Sequence, residues 1–340
     1  MKAKTLGILA VGTVVLSTCA GMALSAKDLE TKTNDDVVSV KSKEKPHMDL
    51  AFCIDTTGSM QGEIDMVKVK VKDLVAKLGS GKPAPIIRVG LVAFRDRGDA
   101  YVTKVYPFTD DIDKFVKDIS NLEAAGGGDG PESVNEALHV TVNNLSWDSS
   151  NKTAKLLFLI GDAGPHFYPK DYKWQDEAKT AISKGIQINA LGCNGLESAG
   201  DGGLEVFQKI AKLADGQFEN LAYRQIVKDE HGKYTTIISS GGAAFAVADG
   251  AADEWKSGAK ALSSAGKAKP MASLLARSRA SYAAAAPGGM ASAGMVAGRM
   301  AEMESAASVV NRKDSNLDAL MYNAAMKKAS EKLKVDYAGK

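Results

Sequence analysis

Cysteine is scarce in this chain. Three residues among 340, Cys19, Cys53 and Cys193, are too few for a disulfide-stapled scaffold. A strong charge of either sign is missing as well: the formal net charge is +2, which gives no global reason to expect nucleic acid as a partner. Aromatic residues make up only 6 %, and every Phe and Trp lies at or before Trp255. The rest of the chain is rich in Ala, Gly, Ser and Met and lacks the bulk for a core of its own, so the chemistry is expected in roughly the first 250 residues. The N-terminal apolar run, residues 6–16, is too short to span a bilayer comfortably at about 1.5 Å per helical residue.

What is present is ordinary for a globular protein. Apolar residues at 45 % and charged residues at 25 % exclude a wholly disordered or collagen-like chain. The length suits two domains, or one large domain with appendages. The charge divides unevenly: residues 256–340 carry 14 Lys/Arg against 6 Asp/Glu, and residues 1–255 carry 29 against 35.

Residues 1–26 read as an export signal. Lys2 and Lys4 open it, the apolar run follows, and Ala-Leu-Ser-Ala at 23–26 offers a cleavage site. The expectation is an exported protein, periplasmic or extracellular. Two variants stand beside it: an uncleaved anchor, and a lipid-anchored form through Cys19 in Leu-Ser-Thr-Cys. In an oxidising compartment Cys53 and Cys193 could pair, or each could serve as a small buried hydrophobe.

After a polar linker at 27–46, strands and helices alternate. Apolar runs at 48–54, 86–94, 155–161 and 186–191 predict buried strands, with a more polar edge strand at 101–108 and a short last one at 217–221. Helical spacing predicts helices over 60–78, 110–122, 131–145, 171–184 and 204–214, with Pro131 in the first turn of the third. This is an α/β pattern: a doubly wound, mostly parallel central sheet flanked by helices. Ligands in such sheets bind at the carboxyl ends of strands, where strand order reverses. Residues 226–239 predict a hairpin turning at 229–233, and the Ala-rich stretch 243–264 predicts a helix. Residues 265–340 read as a partly helical or loosely ordered basic tail. A sharper alternative makes it an amphipathic segment for a partner or a membrane surface, helped by Lys327, Lys328, Lys332 and Lys334.

Three loops carry candidate chemistry. Asp55, Thr57 and Ser59 follow the first strand at a spacing of two, with Gly58 permitting a tight turn. Asp162 follows the 155–161 strand. Between them lies Gly-Gly-Gly-Asp-Gly-Pro-Glu at 126–132. One carboxylate, two hydroxyls and a second carboxylate from another strand end are hard oxygen donors. They suit Mg²⁺, Mn²⁺ or Ca²⁺ and suit zinc poorly. Asp55 and Ser59 could instead merely cap the following helix.

These residues resemble the metal-ion-dependent adhesion site of von Willebrand factor type A domains, D-x-S/T-x-S, seen here as Asp55, Thr57 and Ser59. Supporting matches follow in order: GLVAFRD (90–96), GGGDGPE (126–132), LIGDAGPH (159–166) and IAKLADGQFENL (210–221). The resemblance covers residues 47–222 and leaves 223–264 as an extension packing on the domain. It implies a divalent cation, Mg²⁺ first, held by Asp55, Thr57, Ser59 and Asp162. It also implies a protein partner that presents an acidic residue to an open coordination position. The family's middle motif often supplies a Thr; this chain has none there, and Asp129 stands in as the candidate ligand or as a helix cap. Arg95, Asp96 and His166 are the candidate ligand-contacting residues, with Asp96 also suited to bracing the site.

The implied function is noncatalytic, a metal-dependent binding module for adhesion or assembly, with the oligomeric state open. One alternative is a metal-assisted phosphohydrolase with Asp55 as nucleophile, but the second Asp such enzymes place two residues on is Thr57 here. The other is an envelope assembly factor acting through its basic tail. The tripeptide Arg97-Gly98-Asp99 and the glycine-lysine stretch 79–82 are short enough to arise by chance.

Overall fold

The computed structural model describes residues 45–128, 130–197, 201–228, 232–271 and 314–337. Its centre is a six-stranded sheet in the order β3-β2-β1-β4-β5-β6. The strands are β1 (His47–Asp55), β2 (Ile86–Phe94), β3 (Thr103–Thr109), β4 (Ala154–Gly161), β5 (Ile186–Gly192) and β6 (Phe218–Asn220). All pairings are parallel except that of β3, which runs antiparallel along the outer edge of β2. The period-2 alternation of β1 explains why both its faces are apolar. Met48, Leu50, Phe52 and Ile54 enter one core, and Ala51 and Cys53 the other. The first core receives α1 (Gln61–Gly79) and α2 (Ile112–Ile119); the second receives α3 (Val134–Asn143), α4 (Trp174–Ser183) and α5 (Gly203–Leu213). Phe52 stacks on Phe158 with ring centroids 5.9 Å apart at the middle of the first core. Cys53 and Cys193 lie in the cores on opposite faces of the sheet, so they are packing residues and are not bonded to each other. Burial pushes the Cys53 thiol up to about 12.

The third helix departs from its expected start at Pro131. It begins at Val134, because Glu132 is held in extended backbone against Pro165: its N–H donates to the Gly164 carbonyl at 2.9 Å, and its carbonyl accepts from the His166 N–H at 2.8 Å. The 226–239 hairpin is present as the antiparallel pair β7 (Tyr223–Lys228) and β8 (Tyr234–Ser240); residues 229–231 at its turn lie outside the described residues. The stretch 243–264 is not one helix. Gly241 and Gly242, at φ 57° and 70°, turn the chain back into β9 (Ala243–Val247), which pairs with β8. A 3-10 helix (Asp249–Ser257), α6 (Gly258–Ser264) and β10 (Ala268–Pro270) follow. Ile238, Val247, Trp255 and Leu262 close a small core between this four-stranded sheet and its helices.

The tail holds the largest departure from expectation. Within it, α7 (Leu317–Leu333) carries Leu317, Met321, Ala325 and Ala329 at an i, i+4 spacing. All four are fully buried in the first core, beside α1. The small alanines let the helix approach closely, and the chain beyond it pairs Asp336 with Lys82. No described helix is long and apolar enough to cross a membrane. Residues 1–26, including Cys19, the tail residues 272–313 and Asp129 lie outside the described residues.

Candidate functional site

Strand order reverses between β1 and β4, the sheet's two central strands, and the candidate residues gather at their carboxyl ends. Asp55 ends β1 with no solvent exposure. The backbone N–H and hydroxyl of Thr57 both donate to Asp55 Oδ1, at 2.8 and 2.7 Å. Asp55 Oδ2 is buried and has no hydrogen-bond partner. Leaving such a carboxylate oxygen unsatisfied costs about 1–3 kcal/mol or more. Burial, and then the charge of Asp162, push the Asp55 carboxyl up to about 7 against the opposing bonds from Thr57. Asp162 follows β4, half-buried beside Gly195. Ser59 is exposed on the first loop.

The glycine-rich middle loop lies against the first. Gly58 N–H donates to the Gly126 carbonyl at 3.2 Å, and Ala125 N–H to the Thr56 carbonyl at 3.1 Å. Gly127 adopts φ 80°, and a Cβ there would sit 3.1 Å from the Thr57 Cβ and 3.6 Å from Glu132 Oε1. A side chain there would crowd Thr57 and would take a φ that L residues rarely adopt. Asp129, the expected ligand from this loop, lies outside the described residues. The same loop supplies another carboxylate. Glu132 is 2 % exposed, its Oε2 lacks a hydrogen-bond partner, and burial followed by the charges of Asp55, Asp96, Asp99 and Asp162 pushes it up to about 9. Among the described residues neither Asp55 nor Glu132 has a Lys or Arg within ion-pair distance.

The candidate ligand-contacting residues brace these loops. Arg95 is buried; it donates to the carbonyls of Thr56 at 3.1 Å and Glu123 at 2.8 Å, and its guanidinium lies 4.5 Å from the Tyr101 ring centre. Asp96 is also buried. It accepts from the Ser133 hydroxyl at 2.7 Å, the Tyr168 hydroxyl, and His166 Nδ1 at 3.2 Å, so it ties the end of β2 to both other loops. His166 stays half-exposed and stacks on Tyr168. Asp99 carries part of the same bracing: Gly127 N–H donates to it at 3.3 Å, and a Cβ on Gly126 would strike its carboxylate. Sequence reasoning missed Glu132 and Asp99. Both sit in motifs that it noticed, but nothing local marks a loop carboxylate as buried.

The donor set fits a hard divalent cation. Asp55 Oδ2 needs a positive partner, the Thr57 hydroxyl gives its proton to Asp55 and keeps its lone pairs, and the surrounding charge is negative. Among the described residues no three His, Cys, Asp or Glu side chains group closely enough to hold a metal by themselves.

A family model described as von Willebrand factor A domain matches residues 49–223, just over half of the chain. The chain is similar to von Willebrand factor A domain-containing protein 7 of Homo sapiens, at 36 % identity over 120 residues; the match covers 35 % of this chain and 12 % of that protein. The Mus musculus counterpart is 32 % identical over 137 residues, covering 40 % of this chain and 14 % of its own length. Among solved structures, the conserved hypothetical protein BatB from Bacteroides thetaiotaomicron aligns with 18 % identity and a TM-score of 0.38, covering 52 % of this chain and 89 % of that one.

Proposed function

The chain belongs to the von Willebrand factor A domain family, and from that premise we propose that its strand-end loops form a cation-dependent docking site for a protein partner. Asp55, Thr57, Ser59 and Asp162 hold one divalent cation, Mg²⁺ first, with Mn²⁺ or Ca²⁺ as substitutes. Asp129 of the middle loop is the further candidate ligand; Glu132 is buried beside Asp55 and, among the described residues, completes no three-carboxylate cluster. The observation that supports this reading is the buried, unpartnered Asp55 Oδ2 beside a hydroxyl whose lone pairs are available. When bound, the cation supplies a Lewis-acidic position for an Asp or Glu carboxylate of the partner. The chain's own residues do the rest. Arg95, Asp96 and Asp99 lock the three loops together, so little ordering is left for the moment of binding. His166 and the loop that follows it form the rim that meets the partner.

The N-terminal segment supports export to a periplasmic or extracellular setting. Magnesium titrated calorimetrically into the full chain tests the site: saturable binding is expected, and its loss in Asp55→Ala. A panel of acidic peptides captured with magnesium and released by EDTA tests the docking role. Capture that persists in EDTA would refute it.

A further inference from the structure

At the other edge of the central sheet, where β4 and β5 begin and α3, α4 and α7 end, lies a cleft of about 500 Å³. Three lysines line it: Lys155, Lys184 and Lys332. Lys155, the second residue of β4, is only 5 % exposed, and its ammonium donates to a single acceptor, the Lys184 carbonyl at 3.2 Å. The Lys184 ammonium reaches the Val142 carbonyl at 3.1 Å and Asn143 Oδ1 at 2.6 Å. Lys332 lies in the last turn of α7, half-buried. Burial, and then the like charges of Lys328 and Lys155, lower its pKa, so these ammonium groups feel one another. Among the described residues none of the three lining lysines has a carboxylate within ion-pair distance.

The acids at this edge are committed elsewhere. Asp49 takes both prongs of the Arg88 guanidinium, at 2.8 and 2.7 Å. Asp148, which also lines the cleft, is held by the Ser150 N–H and the Thr153 hydroxyl and faces Arg88. A buried ammonium without an anion carries a desolvation cost of several kcal/mol. Here Lys155 is the buried one, with the half-buried Lys332 and the exposed Lys184 beside it on segments far apart in sequence.

We propose that this cleft binds the phosphate group of a phosphate-bearing ligand. A carboxylate offers one charge and two oxygens. A phosphate monoester offers up to two charges and three terminal oxygens, which matches convergent ammonium donors better, and lysine serves as a point-charge phosphate binder. Trp147 and the exposed Ile182 form an apolar wall for the organic part of the ligand. The site stands at the opposite sheet edge from the cation loops and does not depend on them.

The test is calorimetric titration of inorganic phosphate and pyrophosphate into the full chain at low ionic strength, in EDTA so that the cation loops take no part. Saturable binding is expected in the wild type and in Asp55→Ala. Lys155→Met and Lys332→Met should each weaken it about tenfold, the effect of one charge-assisted hydrogen bond. Lys332 is half-exposed, so its variant carries the test if Lys155→Met does not fold. Phosphatidylcholine vesicles doped with phosphatidic acid separate the sources of the phosphate. Capture that free phosphate competes away indicates a lipid headgroup; phosphate binding without vesicle capture indicates a soluble ester. Absence of saturable heat with either anion, or equal affinity in Lys332→Met, overturns the proposal.

Discussion

Replacing Asp55 by Asn separates a structural carboxylate from one kept for a cation. Burial and Asp162 raise its pKa from 3.8 to about 7 in the folded protein. A carboxyl raised in this way binds its proton more tightly in the folded state, so its ionisation opposes folding. The penalty is absent below pH 3.8, grows between 3.8 and 7, and is complete above 7. The rise from 3.8 to about 7 corresponds to roughly 4 kcal/mol at pH 8 and less than ~2 kcal/mol at pH 5. Asn keeps the acceptor that Thr57 uses but leaves an amide where Oδ2 was, which returns about 1–3 kcal/mol of the gain. Asp55→Asn should therefore stabilise the chelated protein at pH 8 by about 1–3 kcal/mol, and hardly at all at pH 5. Urea unfolding in EDTA at the two pH values measures this. Magnesium should then stabilise the wild type by about 2.7 kcal/mol at a hundred times its dissociation constant and leave the variant unmoved. A variant less stable than wild type in EDTA at pH 8, or one that magnesium stabilises equally, would refute the reasoning.

Other substitutions probe neighbouring links. Thr57→Val keeps the side-chain shape, should cost about 1 kcal/mol of stability from the lost bond to Asp55, and should abolish magnesium binding; calorimetry beside urea unfolding reads both. Gly127→Ala places a side chain at φ 80° against Thr57 and should lower stability by about 1–2 kcal/mol, visible as a shift in the urea midpoint. Met321→Ala removes a fully buried contact of α7 and should cost about 2–5 kcal/mol in the same assay. An unchanged midpoint there would place α7 outside the cooperatively folding core.

Much of the sheet was legible because its signal is local. An apolar run such as 86–94 needs only its own residues to announce a strand buried on both faces, and the structure has β2 at those bounds. Alternating strands and helices then set the α/β class, and the winding put Asp55 and Asp162 at neighbouring strand ends. The Ala-rich stretch 243–264 misled because alanine's helix propensity is weak beside a glycine turn that offers a strand partner in β8. The helix at 131 misled because Glu132 finds its hydrogen bonds on a loop more than thirty residues away.

The sequence by itself determined the strands of the central sheet to within about two residues, and which carboxylates lie at their tips, since side-chain period and turn chemistry are properties of adjacent residues. Only the tertiary structure decided which polar groups lose their water. It buried Glu132 and left its Oε2 unpartnered, committed Arg95 and Asp96 to bracing, drew α7 into the core and brought Lys155 and Lys332 to one cleft. Desolvation and charge pairing depend on segments distant in the chain, and no window along the sequence contains both partners.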